Sequence, residues 1–188
     1  MWALVEDGSI TKIINKPRGM IIDGIQYSRK IFSLWSKSER EAKGIYEIVW
    51  NNAKKKDEAY YINTDVSYAF GNGKVTASYG DATARAHADT TDDDGNFTAT
   101  GLKTKRIKTL KAQAAGELSK TDWYIVRKAD ADTAIPSAIT NHRAAVRTKC
   151  ASMETAITNA SNTAAIETLY TRDADGVRPL GALPTLEV

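Results

Sequence analysis

The grammar of the chain changes near residue 80, and this change most limits what the chain can fold into. Three of the four tryptophans and six of the eight tyrosines fall between residues 2 and 79, in short apolar runs broken by turn residues. That is the pattern of strands. Trp2-Ala3-Leu4-Val5 and Ile10-Thr11-Lys12-Ile13-Ile14 flank Glu6-Asp7-Gly8-Ser9. Gly8 takes positive φ without a Cβ clash, so a hairpin is expected there. Met20-Ile21-Ile22 and Ile25-Gln26-Tyr27 are joined by Asp23-Gly24, a pair suited to a type I′ turn. Ser36-Lys37-Ser38-Glu39 reads as a capping box that opens a short helix, with Gly44 as its C′ residue. Strands are expected at Ile45 to Trp50, Ala59 to Asn63, Ser67 to Phe70 and Lys74 to Tyr79, with Asn72-Gly73 turning the last hairpin.

From Gly80 to Gly101 the chain is mainly Asp, Thr, Ala and Gly, with Phe97 as its one large apolar ring. So little apolar surface does not offset the entropy of ordering, so the stretch is expected to be a linker or long loop. Beyond it the period becomes helical. Ile107, Leu110, Ala114 and Leu118 share a face, while Lys103, Lys105, Arg106, Lys108 and Lys111 lie mostly off it. Ile135-Pro136 marks a second helix start. Ile139, Val146, Cys150, Met153 and Ile157 then stack along a helix expected from Pro136 to Ala160, and Ser161-Asn162 either ends it or caps a short third helix through Tyr170. The expected fold class is α+β: a small β-rich N-terminal domain over 1–80, a polar linker over 81–101 and a helical C-terminal region over 102–188.

The chemistry is mostly a set of exclusions. A net charge of +3 is too mild to imply nucleic acid, which demands a concentrated basic face. No aromatic residue alternates with the basic row at 103–111 to stack bases, so that row reads as a solvated helix face. The single cysteine, Cys150, allows no internal disulfide and reads as a core thiol more readily than as a nucleophile. The opening has no basic segment ahead of a long apolar run, and no stretch has the length of a membrane span, so a soluble chain without a signal peptide is expected. Asp92-Asp93-Asp94-Gly95 and Asp173-Ala174-Asp175-Gly176 invite a calcium reading. Aligning either glycine with the sixth position of an EF-hand loop leaves Gly101 or Ala182 where the bidentate glutamate belongs. His87 and His142 stand far apart without a metal-ligand partner. No metal and no cofactor are expected. Glycan hydrolysis requires two opposed carboxylates, and no such pair can be nominated; the chain is expected not to be an enzyme.

The residues with most to say lie at Leu118-Ser119-Lys120-Thr121-Asp122-Trp123. A tryptophan just past a helix end is either a core anchor or an interface hot spot. The order Leu118, Asp122-Trp123, Ile135-Pro136, His142-Arg143, Val146-Arg147 resembles the C-terminal pattern of phage tail fibre assembly and related tail proteins. There a helix ending in Leu-x-x-x-Asp-Trp precedes a proline-started helix with Tyr-Arg-x-x-Leu-Arg. The opening Met1-Trp2-Ala3-Leu4-Val5, with Trp35 and Gly44-Ile45-Tyr46, is similar to small N-terminal units of tail-associated virion proteins from phages of aquatic bacteria. His142 stands where the assembly family has tyrosine, Val146 where it has leucine, and some forty residues follow where that family normally stops. The resemblance implies a structural protein of the bacteriophage virion, in the tail, baseplate or tail fibre region, or alternatively a fibre assembly chaperone absent from the mature particle. Both act through protein-protein contacts, with other tail proteins or with a second copy, and involve neither nucleic acid nor membrane. The expected interface is Trp123 with the stripe Ile139, Val146, Cys150, Met153 and Ile157.

Overall fold

The computed structural model describes residues 1–186, and the chain divides into two compact units, Met1–Thr83 and Ala84 onward. The N-terminal unit holds β1 (Trp2–Glu6), β2 (Ser9–Ile14), β3 (Met20–Ile22), β4 (Ile25–Tyr27), α1 (Ile31–Leu34), α2 (Lys37–Ala42), β5 (Ile45–Asn51), β6 (Tyr61–Ile62), β7 (Ser67–Gly71) and β8 (Lys74–Ser78). A two-residue strand β9 (Thr83–Ala84) falls where the units divide.

Five strands form one sheet in the order β2-β1-β5-β8-β7. All neighbours are antiparallel except β5 and β8, which pair in parallel from Ile48↔Val75 to Asn51↔Ser78. A parallel pair cannot be closed by a tight turn, so the chain between β5 and β8 must cross over. The outer strands β2 and β7 approach one another, and the sheet curls. Side-chain alternation then sorts the apolar residues onto two faces. On the enclosed face, Ala3, Val5, Ile48, Val75 and Ala77 are buried, with Ile13 of β2 and Phe70 of β7 packed on the same cluster. On the other face Leu4, Ile14 and Ile45 pack with Met20 and Ile22 of the β3–β4 hairpin and with Ile31 and Phe32 of α1.

The turn chemistry reads as expected. Asp23-Gly24 and Asn72-Gly73 take the paired positive φ of type I′ turns. Ser36 caps α2 in a reciprocal box: the Glu39 backbone N–H donates to Ser36 Oγ at 3.2 Å and the Ser36 backbone N–H donates to Glu39 Oε2 at 2.7 Å. Donation from the Ser36 backbone N–H, and then from its hydroxyl at 2.8 Å, holds the Glu39 carboxyl below its ordinary pKa. Its contribution to the cap is therefore present above the ordinary glutamate value and is lost as pH falls through the lowered one.

In the second unit, β10 (Thr90–Thr91) and β11 (Phe97–Ala99) form a small hairpin, followed by α3 (Leu102–Ser119), α4 (Asp122–Ala131), α5 (Ser137–Asn159) and α6 (Thr163–Tyr170). This corrects two expectations. The stretch read as a linker or long loop over 81–101 contains the division between the units, but from Ala84 onward it belongs to the helical unit. It has a mechanical role there. Gly101 offers no capping side chain at the start of α3, and the loop backbone supplies the acceptors instead: Leu102 N–H donates to Ala86 O and Lys103 N–H to His87 O, each at 2.9 Å. Asp89 accepts from Gly101 N–H at 2.7 Å, and the Thr163 hydroxyl at the start of α6 donates to Arg85 O at 2.6 Å. Backbone hydrogen bonds thus order a segment that has too few apolar side chains to order itself. Secondly, the chain after Thr121 is helical where the sequence reading ended the helix.

Leu110, Met153, Ile157 and Leu180 form a buried cluster in which α3, α5 and the segment after α6 meet. Asn162 caps α6 by accepting from Ala165 N–H at 2.9 Å.

Gly44 is the most constrained glycine of the N-terminal unit. At φ +72° it accepts from Val5 N–H at 2.8 Å, and a Cβ there would lie 2.3 Å from Val5 O. Gly8 has a similar φ of +76° but open space around it. Gly44→Ala should destabilise this unit by more than the ~1–2 kcal/mol of the left-handed conformation alone, whereas Gly8→Ala should cost about that amount. Thermal unfolding of the two variants checks the order, and equal shifts would show that the Gly44–Val5 approach is not constraining.

Candidate functional site

The corner between α3 and α4 is built around one buried cation. Arg143 projects from α5 with only 9% of its surface exposed. Its Nη1 lies 2.7 Å from Leu118 O, 2.7 Å from Thr121 Oγ1 and 2.8 Å from Asp122 Oδ1. Leu118 O is one of the carbonyls that a helix end leaves without an intrahelical partner, and a cation is favoured at that negative end of the helix dipole. Thr121 is fully buried and its hydroxyl donates to the same Leu118 carbonyl at 3.0 Å. That hydroxyl is already engaged, so Thr121 makes no side-chain cap on α4. Asp122, half exposed, brings the compensating charge.

This arrangement gives α4 a fixed start and leaves the remainder outside. No residue of α4 is buried. Trp123 is 55% exposed, Ile125 40% and Val126 66%. Arg127 lies over the Trp123 ring, 4.5 Å from its centroid, and Tyr124 contacts the same indole at 5.1 Å. Aromatic and aliphatic side chains are thus held outward on a ten-residue helix, with Trp123 and Val126 on one side of it. A helix this short is marginal in water without tertiary support.

The structure separates the residues that the sequence grouped. Ile139, Val146, Met153 and Ile157 are buried within the helical unit, and Cys150 is half-buried beside the Leu110–Met153–Ile157 cluster. Met153 and Ile157 face α3 and the segment after α6, and with Ile139 and Val146 buried as well the expectation that this stripe is an interface is corrected: it is core. Trp123 is neither a core anchor nor part of that stripe. Ile125 and Val126, which the sequence reading passed over, stand beside it. The missed signal was the continuous run Trp123-Tyr124-Ile125-Val126, which has no helical period of its own and follows what resembles a helix stop.

The remaining sequence candidates have structural uses. Lys103 Nζ donates to Thr158 O near the end of α5 at 2.8 Å, and Lys111 pairs with Glu154 at 2.8 Å. The hydrogen bond to Glu154 is the main reason the Lys111 pKa is raised. Arg106 stacks over Tyr170 at 4.6 Å. Three of the five residues of the basic row thus brace the helices instead of forming a free cationic strip. The two Asp-rich turns share one geometry. Asp92 accepts from the Asp94 and Asn96 N–H groups at 3.1 and 2.8 Å, and Asp173 from Asp175 and Val177 at 3.0 and 2.8 Å. The donations from Asn96 depress the Asp92 pKa. These carboxylates serve their own backbone, as turn aspartates commonly do. Among the described residues no cluster of three or more His, Cys, Asp or Glu side chains is arranged to hold a metal ion, and no helix is long and apolar enough to cross a membrane.

Compared with protein-family models, with curated proteins and with solved structures, the chain matches none.

The separation of core from surface has a direct test. Met153→Ala should cost about 2–5 kcal/mol, the usual range for emptying a buried methionine site. Trp123→Ala removes an exposed ring and a cation-π contact, and should cost about 1 kcal/mol or less. Denaturant unfolding of the two variants compares them, and a larger loss for Trp123→Ala would place that ring in the core.

Proposed function

We propose that this chain is a structural component of a bacteriophage virion, in the tail, baseplate or tail fibre region, and that it works by binding other tail proteins. The observation that carries the reading is the outward face of α4. Trp123 and Val126, three residues apart and so on one side of the helix, are both more than half exposed on an element with no buried residue of its own. Exposed patches of this kind mark contact sites, and tryptophan is the residue most enriched among interface hot spots. The resemblance to tail fibre assembly and related tail proteins falls on the same corner. Leu118, Asp122 and Arg143 of its ordered motif are the groups joined by the Arg143 guanidinium.

The assembly chaperone remains the second reading, because the same ordered motif belongs to that family's pattern. A chaperone and a virion part present the same kind of surface but differ in where they end up. Catalysis has no place in either.

Mass spectrometry of purified particles separates them: the chain should be present in finished virions. Presence only in infected-cell fractions, bound to fibre subunits, would support the chaperone, and association with neither would sink both readings. The double variant Trp123→Ala/Val126→Ser should weaken association with tail proteins by roughly thirtyfold, the equivalent of one hot spot of ~2 kcal/mol. Its melting temperature should stay near that of the parent chain.

A further inference from the structure

A cavity of about 400 Å³ opens in the helical unit between α3 and the segment that follows α6. Its floor is apolar: Leu110, Met153 and Leu180 are buried residues of the core cluster, and Leu183 packs against them. Its rim is cationic. Arg106 and Arg178 both line it. Arg106 is held by its stack on Tyr170, which also lines the cavity. Arg178 is half-buried, and its guanidinium has no hydrogen-bond or ion-pair partner among the described residues. Glu117 is the one acidic lining residue, and its carboxylate is engaged by Lys120 at 2.7 and 2.8 Å. The charge left to act on an occupant is therefore positive.

We propose that this cavity binds a ligand carrying a carboxylate on a short apolar body. A guanidinium presents a planar fork that matches a carboxylate with two parallel hydrogen bonds, and Arg178 has that fork unengaged. The leucine and methionine floor accepts an aliphatic group and is poorly suited to a fully hydrated anion such as inorganic phosphate, which would gain nothing from displacing water there. The volume lies in the range of ordinary ligand sites. Gln113, on the α3 face between Leu110 and Glu117, also lines the cavity and its side-chain amide has no partner among the described residues. It can pair with a peptide group. The same chemistry is offered by the C-terminal residue of a protein chain and by a free aliphatic acid, and the Gln113 amide tells them apart. This inference does not rest on the proposed role in the virion.

The test titrates the full chain with N-acetyl-leucine, N-acetyl-leucine amide, 4-methylpentanoate and inorganic phosphate, observed by NMR shifts of Leu110, Met153 and Leu183 methyl groups. N-acetyl-leucine should shift these methyls, and its neutral amide should not. Arg178→Gln should weaken binding by about tenfold or more, the usual consequence of losing a charge-assisted hydrogen bond. Its melting temperature should be unchanged, since the side chain it replaces holds nothing in the fold. Weaker binding of 4-methylpentanoate, with Gln113→Ala reducing the N-acetyl-leucine affinity to the same level, assigns a chain terminus as the natural occupant. Equal binding of both acids assigns a free aliphatic acid. The proposal is overturned if neither acid shifts the cavity methyls, if Arg178→Gln leaves affinity intact, or if phosphate binds more tightly than both acids.

Discussion

Arg143 carries a permanent charge into the interior of the helical unit, and the α3–α4 corner is arranged to answer it. A buried guanidinium is costly unless its donors are met. Here one nitrogen meets a helix-end carbonyl, a buried hydroxyl and a carboxylate within 2.8 Å. Each acceptor comes from a different part of the corner: Leu118 from the last turn of α3, Thr121 from the connection and Asp122 from the first residue of α4. The three positions are therefore tied to α5 by a single side chain. This tie replaces the local capping that α4 lacks and sets where the helix begins. The exposure of Trp123 and Val126 follows from that start, because it determines which way the succeeding residues turn.

The rest of the helical unit uses the same strategy of long-range polar ties where apolar burial is thin. Its helices are rich in alanine and threonine, so their packed faces bring little hydrophobic area for their length. Lys103 closes onto a carbonyl near the end of α5, Lys111 bridges to Glu154, and Thr163 reaches back to Arg85. The loop ahead of α3 binds the first N–H groups of that helix. Gly101 cannot carry even a methyl group, since a Cβ there would lie 2.2 Å from the Ala88 carbonyl. The N-terminal unit is held differently. Its sheet encloses one apolar cluster on its curled face and stacks a second between its other face, a hairpin and a short helix. Aromatic pairs such as Trp2–Phe32, with centroids 4.8 Å apart, close that second cluster.

The α+β class, the hairpins at Asp7-Gly8, Asp23-Gly24 and Asn72-Gly73, the capping box at Ser36 and the long helices α3 and α5 were all legible in the amino-acid sequence. Each depends on contacts within a few residues: the turn residues dictate positive φ, the cap residues meet adjacent N–H groups, and helical periodicity shows at short range. The stripe on α5 was legible as apolar, but not as core, because periodicity marks a face to be covered without saying what covers it. The linker expectation rested on composition, and composition does not register backbone hydrogen bonds. Nor could it place α4, whose start depends on Arg143, 21 residues beyond Asp122 along the chain.

What the sequence by itself determined was local: which segments turn, which extend, which coil into helices and which side chains seek shelter. What only the tertiary structure decided was which apolar residues had already found it. Met153 and Ile157 are covered by α3 and the segment after α6, whereas Trp123 and Val126 are left facing outward. The cavity beneath Arg178 belongs to the same category, since it exists only where a segment late in the chain folds back against α3. Burial and enclosure are made by residues far apart in sequence, and neither is encoded in any one stretch of it.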